Sequence, residues 1–282
     1  MKNMLIPTDF SACASYAVEA GLEMAKRYQS KVFLFHNADI PNNWSALSAK
    51  EKDHIPEAYQ SWKNAEVLLT DIQSKNQEID IDIIIAGGDL VKNIEQITKE
   101  KHIGLIVMGS QGAGKSDPNF FGSNTQLVVR QVKVPVLIIK SRLKDFYFEK
   151  VVFASGFDEA DKEAFLKFKD FVKHFIPEIH LVSIQSLFKY GVPYIVQKEA
   201  MESFEKLCSP LVCKIHISKH TTIEKGIRSL ADEIGAELIG ISNHYRHPLR
   251  RLLTGSTVEA LVNYSGIPVL TIDYGEKGKK DA

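Results

Sequence analysis

Apolar and polar positions along this chain follow two periods that take turns. Residues 3–9, NMLIPTD, are a short apolar run of strand length, and residues 31–37, KVFLFHN, are another. Between them Ala14, Ala17, Val18, Gly21, Leu22, Ala25 and Tyr28 recur at helical spacing and fall on one face. From residue 148 the pattern is written again. FEKVVFASGF carries a strand of the same kind, and Ala164, Phe165, Phe168, Phe171, Val172 and Phe175 form the helical stripe, which Pro177 ends. EIHLVSI then stands where KVFLFHN stood.

The later parts also correspond. IDIIIAGGDLVKNIEQITKEKHIGLIVMGS has its counterpart in CKIHISKHTTIEKGIRSLADEIGAELIGIS, each a strand, a turn, an amphipathic helix and a buried strand. FGSNTQLVVRQVKVPVLIIK pairs with TGSTVEALVNYSGIPVLTID, where Gly-Ser opens a helix and Pro135 or Pro268 starts a last strand. A repeat this long is a duplicated domain. Charge breaks the apolar pattern in SRLKDFYFEK, which sets domains at 1–144 and 145–282. Runs such as LIVM and VLII are apolar at every position, as parallel strands buried on both faces require. The chain is therefore expected to be α/β, with two tandem doubly wound domains, each on a five-stranded parallel sheet. Residues 38–60, polar and holding two prolines and Trp44, are expected to be a long loop or lid.

Composition narrows the function. The chain has 282 residues, 44% hydrophobic and 25% charged, with Lys plus Arg equal to Asp plus Glu at 35 each. That balance gives no electrostatic argument for nucleic acid or an anionic membrane. No apolar run approaches the ~18 residues of a spanning helix, and MKNMLIPTDF has no secretory core, so the expected compartment is the cytoplasm. Cys13, Cys208 and Cys213 form no C-x-x-C pair and are expected to be reduced thiols.

The stretch VMGSQGAGKSDPNFFGSN, residues 107–124, can be read in two ways. Gly109, Gly114, Lys115 and Ser116 spell the P-loop pattern. Asp117-Pro118 follows at once, and a residue before proline is biased away from helix, so the helix that a P-loop opens is not expected there. The other spacing is Gly109, two residues, Gly112, nine residues, then Gly122-Ser123. With the preceding strand LIVMG, the opening MLIPTDFS and the closing VKVPVLIIK, this resembles the universal stress protein family, once per repeat. The resemblance implies an adenine nucleotide alpha hydrolase-like fold with strand order 3-2-1-4-5, and a nucleotide bound where that order reverses. Gly109 and Gly112 would let backbone approach phosphate. Gly122, Ser123 and Asn124 would offer a helix N-terminus to it. Pro7, Thr8, Asp9 and Asn37 would flank the adenine and ribose, Met108 and Gln111 would line the loop, and Lys115 would screen phosphate charge. The implied ligand is ATP, or ADP or AMP, with magnesium as a possible companion.

Each assignment has a structural alternative. Gly-Ser before a helix is an ordinary cap, Asp9 can cap the helix starting near Ser11, and Gly109 and Gly112 can be turn residues. In the second repeat Ser242 and Tyr245 replace the loop glycines and Gly156 replaces Asp9, leaving Gly255-Ser256. No nucleotide site is expected there. The basic run of His244, Arg246, His247, Arg250 and Arg251 reads as a solvated face. No catalytic or metal constellation stands out, so the expected role is a stress-response sensor, switch or interaction protein with at most slow ATP hydrolysis and an unidentified protein partner. The resemblance also implies pairing of the last strands of the two repeats, giving an intrachain pseudo-dimer, with homodimerisation open.

Overall fold

The apolar runs are parallel strands, and the segments of helical period are the crossovers that cover them. The computed structural model of the chain describes residues 3–111, 122–143, 146–188, 191–242 and 257–273. Contacts divide it into two units, Met1–Phe146 and Tyr147–Ala282. In the first, β1 (Asn3–Pro7), α1 (Ala12–Tyr28), β2 (Val32–Asn37), α2 (Ala49–Asp53), α3 (Pro56–Ser74) and β3 (Ile81–Ala86) are followed by α4 (Leu90–Glu100), β4 (Ile103–Gly109), α5 (Ser123–Gln131) and β5 (Val136–Ile139). The second holds β6 (Lys150–Ala154), α6 (Asp161–Val172), β7 (Glu178–Ser186), α7 (Tyr194–Glu205), β8 (Val212–His220), α8 (Ile223–Ile234), β9 (Leu238–Ser242), a helix over 257–264 (α9) and β10 (Val269–Ile272).

In unit one β1 pairs with β2 and β4, β2 with β3, and β4 with β5, all parallel. The order is β3-β2-β1-β4-β5. In unit two β6 pairs with β7 and β9, β7 with β8, and β9 with β10, which repeats that order. The central strands are buried at nearly every position, whereas β3 and β8 are partly exposed along their length.

The predicted helical stripes are the buried faces. Ala14, Ala17, Val18, Leu22, Ala25 and Tyr28 are buried in α1, and Ala164, Phe165, Phe168, Phe171 and Val172 in α6. The two helices solve one contact in opposite ways. In unit one Gly21 receives the Ile6 side chain of β1 and lies against Val107 of β4. In unit two the corresponding helix position is Phe168 and the corresponding strand position is Gly240, where a Cβ would overlap the Phe168 ring. Volume has moved from strand to helix. Phe153 packs at 5.2 Å from Phe165 and 5.1 Å from Phe168, and Phe204 lies 5.0 Å from Phe157, an aromatic core where unit one has Ile6, Val18 and Gly21 in place of Phe153, Phe165 and Phe168.

Two expectations are corrected here. Residues 38–60 are not an irregular loop. Trp44 begins a 3-10 turn and is 5% exposed, packed in a cluster with Ala38, Ile40 and Ala58 and against Leu47, Trp62 and Ile85. Ser48 and Glu51 then form a reciprocal capping box on α2, and Pro56 occupies the first turn of α3. Local caps order a segment whose composition alone suggested a loop. Cys208 and Cys213, expected to be reduced, are joined in a disulfide between the end of α7 and the start of β8.

A polar cluster lies across β7 and β8. His180 Nδ1 is 2.8 Å from His216 Nε2, with the rings stacked at 5.0 Å. His180 Nε2 is 2.8 Å from Glu178 Oε1, which Lys214 Nζ also approaches at 2.9 Å. Burial holds both imidazoles below the ordinary histidine range. The charge of His216 adds to this for His180, while Glu178 opposes it. For His216, Glu233 opposes it and Lys214 adds to it.

The unfolded chain takes up these protons near pH 6.5 and the folded chain only below that. The stabilisation is therefore complete above about pH 6.5 and is lost as pH falls toward the lowered folded values. Urea midpoints measured from pH 7.5 to pH 5 will fall for the native chain, and His216→Gln will flatten that fall. Gly240→Val will destabilise unit two through the Phe168 ring. Combined with Phe168→Ala, it will cost at least about 1 kcal/mol less than the two single changes added, measured as a double-mutant cycle.

Candidate functional site

Strand order reverses between β1 and β4, so the loops leaving their carboxyl ends are neighbours. Beyond Pro7, Thr8 is buried and donates its N–H to the Phe35 carbonyl at 2.8 Å. Its hydroxyl accepts the Phe10 N–H at 3.1 Å, in a turn whose Phe10 has φ +62°. His36 Nδ1 lies 2.7 Å from the Thr8 carbonyl, so this nitrogen carries the proton, and the His36 ring packs on Phe10 at 4.7 Å. Asp9 is exposed, and its carboxylate accepts the Ser11 N–H at 3.1 Å. Ser11, rather than Asp9, caps α1 by accepting the Ala14 N–H. The Ser11 hydroxyl also donates to the Gln111 carbonyl at 3.4 Å, which ties the first loop to the fourth.

Met108 is buried in β4, and Gly109 ends that strand under the first turn of α1. A Cβ on Gly109 would stand 2.8 Å from the Cys13 carbonyl carbon and 2.9 Å from the Ala14 nitrogen. Packing therefore excludes a side chain here whether or not a ligand is present. The Gly109 carbonyl accepts the Thr125 hydroxyl at 2.9 Å, and the Gly122 N–H donates to the Ser110 carbonyl at 2.8 Å. The chain that leaves β4 thus returns to it before α5 begins. Gly122 has extended backbone, φ −60° and ψ 138°, and α5 starts at Ser123. Ser116, where a P-loop would open its helix, lies outside the described residues. Gly112 and Lys115 lie outside the described residues.

Side chains of Ser11, Ser48 and Asp89 cap α1, α2 and α4, whereas α5, like α3, has no side-chain cap. Its first-turn residues Ser123 and Asn124 are exposed. The helix start presents a partial positive charge, and among the described residues no side chain caps its backbone amides. Asn37 serves a different contact. Its amide donates to the Gly88 carbonyl at 2.9 Å and its oxygen accepts from Asn93 at 2.8 Å, holding β2 to the β3–α4 turn. That turn was not singled out by motif, although Gly-Gly-Asp before an amphipathic helix is a readable start signal. Gly88 has φ +86° and Asp89 caps α4 through the Lys92 N–H. Cys13 also belongs to this region, with Sγ 3.5 Å from Ser110 Oγ and 3.3 Å from the Ile139 carbonyl.

Unit two builds the same place from other groups. The turn after β6 is preserved, with the Ser155 hydroxyl accepting the Phe157 N–H and Phe157 at φ +60°. Strand register puts Ser242 where unit one has Gly109. Counted from Phe10 and Phe157, α6 starts two residues later than α1, which leaves room for a side chain. Ser242 fills it and donates to Asp161 Oδ1 at 2.8 Å, while Ser155 donates to Oδ2 at 2.6 Å. Asp161 is 4% exposed. Tyr245, Gly255, Ser256 and the basic residues from His244 to Arg251 lie outside the described residues.

A sequence model described as the universal stress protein family matches residues 1–140 and again residues 148–273. The chain belongs to the universal stress protein family. Two curated relatives each align with about one repeat. A universal stress protein of Methanocaldococcus jannaschii is 23% identical over 152 residues, 51% of this chain and 85% of that protein. One of Bacillus subtilis is 27% identical over 146 residues, 49% of this chain and 97% of that protein. A solved universal stress protein of Archaeoglobus fulgidus matches the fold along 98% of this chain and 97% of its own, with a TM-score of 0.75 at 23% identity.

For this universal stress protein, the packing of Gly109 separates two causes of the motif. Gly109→Ala will lower the stability of nucleotide-free protein by about 1–3 kcal/mol, the usual cost of overpacking. Urea unfolding measures it. An unchanged midpoint would remove α1 as the reason for a glycine there.

Proposed function

We propose that the N-terminal repeat binds ATP, or the related ADP or AMP, and that the protein acts as a nucleotide-dependent sensor or switch. The observation that carries this is the uncapped start of α5, held beside the carboxyl ends of β1 and β4 by the Gly122–Ser110 bond. Backbone amides at a helix start, next to a strand-order reversal, suit a polyphosphate. The exposed Ser123 hydroxyl adds a donor, and the Asp9 loop supplies a polar wall for a ribose or base. Among the described residues no three His, Cys, Asp or Glu side chains group to hold a metal ion. A magnesium ion would therefore enter on the nucleotide's own phosphates. The second repeat, with Ser242 and Asp161 at its reversal, would serve as a partner domain without nucleotide.

A second reading, a protein-interaction scaffold that binds no nucleotide, draws on two contacts. Gly109 is explained by α1, and the Asn37 amide is engaged by Gly88 and Asn93. Thermal unfolding of nucleotide-free protein, with and without millimolar ATP and magnesium, separates the readings. At a hundred times the dissociation constant a ligand adds about 2.7 kcal/mol, a rise of several degrees. Ser123→Ala will weaken ATP binding about ten-fold, the loss of one hydrogen bond to a charged group. It will leave the ligand-free midpoint within about 0.5 kcal/mol of the native value. No shift in the native protein would favour the scaffold.

A further inference from the structure

We propose that Cys208 and Cys213 are a reversible dithiol–disulfide pair, a thiol-exchange site in unit two that is independent of the nucleotide reading. The bond closes a loop of only six residues. A disulfide stabilises chiefly by restricting the unfolded chain, and the gain grows with loop length. The shortest loops gain least, so this bond is poorly suited to act as a structural staple.

The turn that carries the two sulfurs is held without them. Leu211 N–H donates to the Cys208 carbonyl at 2.9 Å, and Cys208 N–H to the Glu205 carbonyl at 3.0 Å. Lys169 of α6 reaches over the turn, and its Nζ donates to the carbonyls on either side of Cys208, at 2.7 Å to Leu207 and 2.6 Å to Ser209. The Cα atoms stand 6.1 Å apart, within bridging range. When the bond opens, these contacts keep the thiols within reach of each other.

Access divides the roles. Cys208 is 2% exposed, while Cys213 is half-buried on β8, the strand at the edge of its unit. An external dithiol attacks through its thiolate at the Cys213 sulfur. The Cys208–Cys213 bond breaks, and Cys208 leaves as a thiolate that takes up a proton. The second thiol of the reductant then displaces Cys213. The two protons and two electrons lost by the dithiol reside on the two cysteines, and an external disulfide of the same class reverses the exchange.

The full chain is treated in native buffer with dithiothreitol and then with its oxidised form. Free thiols are trapped with a maleimide mass tag and assigned by peptide mass spectrometry, which separates Cys13. Cys208 and Cys213 should gain and lose the tag together, with circular dichroism unchanged and the unfolding midpoint moved by no more than a few degrees. The proposal fails if the bond reduces only in denaturant or if its reduction unfolds the unit. It fails equally if the purified chain holds two thiols that oxidised dithiothreitol does not join.

Discussion

Parallel neighbours cannot be joined by a tight turn. Each link must cross the sheet, and right-handed crossovers keep all links on one side while the chain moves in one direction. In both units the chain steps outward from the first strand to the third, then returns past the first to lay down the fourth. The return moves the later crossovers to the other face. It also leaves the carboxyl ends of two strands adjacent, with their following helices diverging. The placement of Asp9, Ser11, Gly109, Gln111 and Gly122 follows from that one reversal, as does the equivalent placement of Ser155, Asp161 and Ser242. No residue of the site needs to be near another in sequence for this to happen.

The two units show how far side chains can change under that constraint. Gly21 against Val107 and Phe168 against Gly240 fill one helix–strand contact with opposite distributions of volume. Neither glycine is called for by a turn. Gly21 is small because the Ile6 side chain takes the space of a Cβ, and Gly240 because the Phe168 ring does; close packing tolerates no excess at such contacts. The aromatic core of unit two follows from where the bulk was placed.

Much of this was legible in the sequence. Burial on one helix face leaves a period of 3.6, and burial of a strand on both faces leaves an unbroken apolar run, so the duplication, the α/β class and the core stripes could be read directly. The glycine spacing located the loop after β4, and Pro135 and Pro268 marked the last strands. What escaped were contacts between distant segments. Gly109 looks the same in sequence whether it faces phosphate or the backbone of Cys13. Asn37 gives no sign that Asn93 will meet it. The pairing of Cys208 with Cys213 depends on the path between α7 and β8, which composition does not report. Residues 38–60 were misjudged for a different reason. Their order comes from a capping box and one buried tryptophan, signals that polar composition masks.

The contact beneath each reversal has a further consequence. In unit one, α1 touches β4 by backbone against backbone at Gly109, and the spacing is set by atomic radii alone. In unit two the same gap is bridged by a hydroxyl and a buried carboxylate, Ser242 and Asp161, whose hold depends on their hydrogen bonds and on the exclusion of water. One copy of the fold thus keeps its geometry by volume. The other keeps it by hydrogen bonds to one buried carboxylate, so water that reached Asp161 would compete for the bonds that set the spacing.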